Sequence, residues 1–312
     1  MVVSGRAGRG DPLAAQACLP TGSTEATMVQ TIGNPLSWGL RQLQGAGRDI
    51  GGVTRRLGGA GAVPAVRVLS YADLGVALRR GLQDFGALRT DVIAAAMLYP
   101  VAGACLVWAA WHGALSPLIF PIAAGFALVG PAAAVGFYEM SRRREAGQPA
   151  GWLDGARVLA SPAFGVIFAG AMMLAAVFVT WLLVAYAIFQ ATMGPEVPSS
   201  AVAFLREVLT TPAGWAMIAI GIPAGAVFAA AVLAGTVVSF PLLLDRDVGL
   251  PVAILTSLRV ARAAPGPVAA WGAIVAVSLA AGSLPLLLGL AVALPVLGHA
   301  TWHLYRLAVP AE

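Results

Sequence analysis

The sequence predicts an all-α membrane protein, a polytopic bundle of about six transmembrane spans with an internal parallel repeat and short interfacial elbow helices. Three observations predict it. Hydrophobic residues make up 59% of the chain and charged residues 11%, against roughly 45–50% and about 25% in soluble domains. Apolar stretches recur at the ~20-residue length needed to cross a hydrocarbon core ~30 Å thick. Arginines gather beside alternate ends of those stretches.

Residues 1–69 read as a flexible, Gly/Arg-rich cytoplasmic arm. Its first 27 residues lack the apolar run and small-residue cleavage site of a signal peptide, so the first span is expected to act as its own insertion signal, with Met28 an alternative start. Cys18 and Cys105 cannot build a disulfide framework of the secreted kind. Ser70 is placed to cap a helix over 70–89, in which Leu74, Ala77, Leu78, Leu82 and Phe85 recur at helical spacing, with Arg79 and Arg80 elsewhere on its surface. This helix is expected to lie on the membrane surface.

The transmembrane domain, 70–312, then holds spans at 92–111, 118–138, 164–189, 215–244, 268–282 and 284–303. Between the third and fourth, 202–209 is a short apolar stretch suited to an interfacial helix. Gly282-Ser283 with Pro285 supplies the turn signal in the last apolar block, so a single kinked span, giving five in all, competes there with two. Pro121, Pro131, Pro223 and Pro241 are expected to kink their spans.

Arginine placement decides orientation through the positive-inside rule. Arg79, Arg80 and Arg89 precede the first span. Arg142, Arg143, Arg144 and Arg157 follow the second, Arg246, Arg259 and Arg262 the fourth, and Arg306 the sixth, whereas the opposite side shows Arg206. Both termini are therefore expected in the cytoplasm of a bacterial inner-membrane protein, which requires an even number of spans and favours six.

Shifting the chain by 102 positions brings Pro121, Phe126 and Ala127 onto Pro223, Phe228 and Ala229. It also brings Arg144-Glu145-x-Gly147-x-Pro149 onto Arg246-Asp247-x-Gly249-x-Pro251, and Arg157 onto Arg259. In each copy the glycine permits φ > 0 where a span stops, and the proline suits the first turn of the next helix. Each motif thus predicts an elbow, with short helices over 149–160 and 251–261. Trp152, Leu153, Ile254 and Leu255 serve as apolar anchors, and Arg157 and Arg259 reach lipid phosphates. Because both copies follow a span running inward, the repeats share one direction across the membrane. The elbows are expected to meet, with Arg157 facing Asp247 and Arg259 facing Glu145.

Three blocks resemble a known family. They are Gly125-Phe126-Ala127-Leu128-Val129-Gly130-Pro131 running on to Gly136-Phe137-Tyr138-Glu139-Met140-Ser141-Arg142-Arg143; Ser239-Phe240-Pro241-Leu242-Leu243-Leu244-Asp245-Arg246; and Pro295-Val296-Leu297-Gly298-His299-Ala300-Thr301-Trp302-His303-Leu304-Tyr305-Arg306. Together they are similar to the proteobacterial inner-membrane proteins grouped as domain of unknown function 2189. That family has no established activity. The resemblance implies topology and localisation and assigns no catalytic residue.

The residues present exclude several function classes. A pI near 9.9 is a possible sign of nucleic-acid binding, but the arginines sit beside apolar segments, as expected for contact with anionic lipid head groups, and no nucleic-acid partner is expected. The spans carry no Asp, Glu or Arg near their centres, where ion-coupled transport places its ionisable groups, and the sequence contains no lysine. Glu139, Asp245 and Asp247 stand at span ends beside arginines, the arrangement of interfacial ion pairs. His299 and His303, four residues apart, share a helix face and are the candidate metal or haem ligands. Trp302, Tyr305 and Arg306 around them are equally the composition of a membrane interface belt, and no third ligand completes a set. A haem–copper core needs about six histidines, and the chain has 3.

No nucleophile–base pair or phosphate loop is present, so neither an enzyme nor a cofactor is expected. The expected partners are the lipid bilayer with its anionic head groups and a membrane-protein partner or a second copy. The reading is a non-enzymatic scaffold or accessory partner of a membrane complex. The alternative is a transporter or channel for a neutral or apolar solute.

Overall fold

A computed structural model describes residues 62–96, 101, 103–105, 108, 116–195, 200–284 and 287–310. The arm as far as residue 61, most of the expected first span at 92–111, and His112 lie outside the described residues. Where it is described, the chain is helical, with no strand among those residues.

The first helix, α1 (Tyr71–Ala96), begins where Ser70 predicts. The Ser70 amide and hydroxyl both donate to Asp73 Oδ2, at 2.7 and 2.8 Å, and Asp73 N–H returns a bond to Ser70 Oγ at 3.3 Å, a capping box that satisfies the first free amides. The helix runs on past the break expected near residue 89. Its inward stripe is Leu74, Ala77, Gly81 and Asp84, and Leu82, expected in that stripe, is 55% exposed. The stripe packs along α11 (Leu290–Ala308). Gly81 makes the crossing possible, because a Cβ there would fall 2.6 Å from the Ala300 amide nitrogen.

The second expected span is two helices, α2 (Ile119–Ala133) and α3 (Val135–Glu145). Pro131 inside α2 removes an amide donor, and the helix breaks at Ala134. After the first elbow, α4 (Trp152–Ala156) and a 3₁₀ turn over Arg157–Ala160 lead into α5 (Phe164–Met193). A short α6 (Ala201–Thr210) connects to α7 (Pro212–Thr236) and, beyond a second break, α8 (Ser239–Asp245). Pro241 accounts for that break, standing in the first turn of α8, where its missing N–H costs nothing. The Ala234 carbonyl, which an unbroken helix would pair with Val238 N–H, instead accepts from Ser257 Oγ at 2.7 Å. Ser257 belongs to α9 (Leu250–Ala263), which precedes α10 (Pro265–Ser283).

Four helical stretches among the described residues are long and apolar enough to cross a membrane: Ile119–Glu145, Phe164–Met193, Pro212–Asp245 and Pro265–Ser283. They coincide with the second to fifth expected spans. Half of the apolar window of Pro212–Asp245 is buried, against 12%, 28% and 17% for the others, so this helix is central and the rest present apolar surface outward. On it converges Trp181 of α5. Its ring lies against Phe228 with centroids 5.5 Å apart, over Gly225, and its Nε1 donates to the Pro121 carbonyl at 3.0 Å. Gly225 takes this close contact, whereas Gly130 and Gly221 face open space.

The last apolar block is not one kinked helix. The chain turns between Ser283 and Leu290, with Leu287 at φ 67°, and Gly282 meets Gly289 so closely that a Cβ on Gly289 would lie 2.7 Å from Gly282 Cα. Helices α10 and α11 pack on one another. From Pro295 onward α11 is the most enclosed helix, with His299, Ala300, Trp302, Leu304, Tyr305 and Ala308 at most 1% exposed.

Candidate functional site

The chemistry-bearing side chains gather at one end of the bundle, where α1, α3, α8 and the C-terminal half of α11 meet. Their centre is Asp84, on the inward stripe of α1 and only 5% exposed. Ser141 Oγ donates to Asp84 Oδ2 at 2.6 Å, and His303 Nε2 approaches the same oxygen at 2.8 Å. Arg144 Nε lies 3.1 Å from Oδ1. Burial works to raise the pKa of Asp84, yet the hydrogen bonds from His303 and Ser141 and the neighbouring histidines outweigh it and hold the carboxyl below its ordinary value.

The network fixes proton positions. A carboxylate only accepts, so Ser141 spends its single proton on Asp84 and can only accept from its other neighbour, His299 Nδ1, at 2.8 Å. His299 therefore carries its hydrogen on Nδ1. Its Nε2 is buried and without a hydrogen-bond partner. The ring stands edge-on to Phe137 with centroids 5.7 Å apart. The candidate ligands His299 and His303 thus both belong to the Asp84 network, and no group of three His, Cys, Asp or Glu suited to a metal occurs among the described residues.

A second set of pairs ties the helices at this end. Glu139, also 5% exposed, is held by Arg142 at 2.7 and 2.9 Å and by Arg143 at 3.1 Å. Arg143 reaches on to the Pro149 carbonyl at 3.0 Å and to Asp154 at 2.8 Å. Asp154 also accepts the Gly151 amide at 3.1 Å, so one acid caps α4 and anchors the first elbow. Glu145 accepts from Trp302 Nε1 at 2.9 Å and Arg306 Nε at 3.1 Å. Asp245 accepts from the Tyr305 hydroxyl at 2.6 Å and faces Arg306 at 3.5 Å. Arg306 therefore bridges the ends of α3 and α8.

This overturns the expected pairing across the elbows. Arg157 pairs with Asp154 in its own elbow at 3.2 Å, and Glu145 is taken by α11 rather than by Arg259, which is exposed. The elbows also differ from one another. Gly147 adopts φ 67°, as its motif predicts, but Gly249 has φ −78° in extended backbone. Pro251 stands in the first turn of α9, whereas α4 starts three residues after Pro149 because Gly151 and Asp154 set its cap. Arg246 donates to the Pro310 carbonyl at 2.5 Å. Asp247 lines a cleft of about 250 Å³ together with Glu139, Arg142, Arg157, Asp245 and Arg246.

Sequence reasoning passed over Asp84, Ser141 and Asp154, and read Trp302 and Tyr305 as part of an interface belt. A signal for Asp84 existed, since it continues the spacing of Leu74, Ala77 and Gly81, and a carboxylate on an inward stripe demands buried partners. Ser141, Trp302 and Tyr305 carried none, as their partners lie far away in sequence, whereas Asp154 takes its partners nearby, from Arg143, Gly151 and Arg157.

Residues 119–245, from the start of α2 to the end of α8, match the family model described as predicted integral membrane protein, DUF2189. The description assigns no activity, and the match stops short of α11. No curated protein and no solved structure matches the chain.

Proposed function

We propose that this integral membrane protein is a non-enzymatic scaffold or accessory partner of a complex in the bacterial inner membrane, with both termini in the cytoplasm. The observation that carries the reading is the consumption of chemistry by architecture. Asp84, Glu139, Glu145, Asp154 and Asp245 are all engaged with arginine, histidine, serine, tryptophan or tyrosine from the same end of the bundle, where they hold helices together. Meanwhile three spans leave most of their apolar windows uncovered, surface available to lipid, a second copy or a partner's helices.

The repeat belongs to this reading. Its support is an order of elements met twice: an apolar helix broken near one end at Ala134 or Val237, a short elbow helix, then another apolar helix. Exposed Leu153 and Leu255 beside exposed Arg157 and Arg259 support contact of both elbows with anionic head groups.

The test is purification from native membranes in mild detergent, with the mass of the particle measured. A stoichiometric membrane partner or a defined oligomer is expected; a solitary monomer would overturn the reading. The alternative, passage of a neutral or apolar solute, draws on the cleft between the first elbow and α8. Its lining of arginines and carboxylates suits such a solute poorly.

A further inference from the structure

We infer that α6 lies in the plane of the membrane interface, with Val202, Leu205 and Leu209 seated in the acyl region of the lipid and Arg206 reaching a lipid phosphate. The inference rests on the membrane assignment and is independent of the scaffold reading.

Helical geometry divides α6 into three faces. At 100° per residue, Val202, Leu205 and Leu209 fall on one side, Phe204 and Val208 on a second, and Ala203, Glu207 and Thr210 on a third. The second face is spoken for. Phe204 lies edge-on to Phe189 of α5 with centroids 5.9 Å apart, and Val208 is buried against Gly214, where a Cβ would collide with its backbone. The first face is apolar and open, with Val202 66%, Leu205 58% and Leu209 52% exposed. Arg206 sits on the border between the apolar and polar faces, where its stem can follow the lipid and its guanidinium can rise to the phosphates.

Three further observations select lipid as the occupant. Phe189 is four residues before the end of α5, about 6 Å inside it by helical rise, so its contact with Phe204 holds α6 back against the span instead of projecting away. That depth is of the order by which interfacial helices sink their apolar face. The spans on either side of α6 likewise expose large apolar side chains, Leu183, Tyr186, Trp215 and Ile220. Finally, the helix is fixed at both ends. Ser200 accepts the Ala203 amide at 3.1 Å, Thr211 accepts the Gly214 amide at 3.0 Å, and Trp215 Nε1 donates to the Leu209 carbonyl at 3.1 Å, leaving the indole at the level where aromatic rings favour the interface.

The experiment is site-directed spin labelling of the full chain, freed of native thiols by Cys18→Ser and Cys105→Ser, in vesicles of phosphatidylethanolamine and phosphatidylglycerol. Labels at Val202→Cys, Leu205→Cys and Leu209→Cys are expected to favour oxygen over a water-soluble nickel chelate by roughly threefold relative to labels at Ala203→Cys and Glu207→Cys. Chelate access at all five positions would place the face in water and overturn the inference. Shielding of the first three from both reagents would mean that protein covers the face, which overturns it equally. Leu183→Cys, on a span, separates the two claims: chelate access there would overturn the membrane assignment itself.

Discussion

At the scale of single residues, Asp84 shows how a membrane protein keeps a buried charge. Its oxygens meet Ser141, His303 and Arg144, so removing the charge strands the partners rather than merely deleting a bond. Asp84→Asn is expected to destabilise the protein by about 3 kcal/mol, read as thermal unfolding in detergent. Because the folded pKa of Asp84 is lowered, its contribution is fully present above the ordinary carboxylate value near 4 and is lost as pH falls through the folded value. The stability gap between wild type and Asp84→Asn should therefore be constant from pH 7 to about 5 and close below that; a gap unchanged at pH 3 would refute the assignment.

At the scale of elements, two glycines carry tests with internal controls. Gly81→Ala forces α1 away from the Ala300 backbone, an overpacking expected to cost about 1–3 kcal/mol. Gly75→Ala, in the same helix with nothing within 4 Å, should be neutral or stabilising by up to about 1 kcal/mol. Limited proteolysis of α1 would read the difference. In the elbows, Gly147→Ala must hold φ 67° and is expected to cost about 1–2 kcal/mol, whereas Gly249→Ala, at φ −78°, should cost little. Equal effects in the two elbows would mean that the turn conformations are alike.

At the scale of the whole molecule, α11 is what joins the parts: α1 lies along it, Trp302 and Arg306 hold Glu145 on α3, and Tyr305 and Arg306 hold Asp245 on α8. Replacing Arg306 by Gln is expected to loosen both halves at once and lower the unfolding temperature in detergent by more than Arg157→Gln, whose side chain is mostly exposed. Orientation is tested separately. Reporter fusions after Gln148 and after Leu250 should be active as cytoplasmic reporters, and one after Val197 as a periplasmic reporter. A periplasmic signal at either elbow would reverse the proposed topology.

Features that depend on solvent and on local backbone were legible along the chain. Length and apolarity marked the four helices that can cross a membrane, Ser70 marked the start of α1, and Gly147 marked a left-handed turn. Each of these follows from residues within a few positions of one another. Only the tertiary structure decided which face of α1 turns inward, that Trp302, Tyr305 and Arg306 bind α3 and α8 instead of forming an interface belt, and that His299 ends a hydrogen-bond chain begun by a carboxylate on another helix. Periodicity finds apolar stripes, but here the stripe runs through Gly81 and Asp84, one chosen for close approach and the other for its partners. A carboxylate and an arginine carry no sign of which partner they will take. That choice is set by which helix ends the folded bundle brings within about 3 Å of each other, and the proposed 102-residue repeat could not foresee it because the decisive helix, α11, lies outside both of its copies.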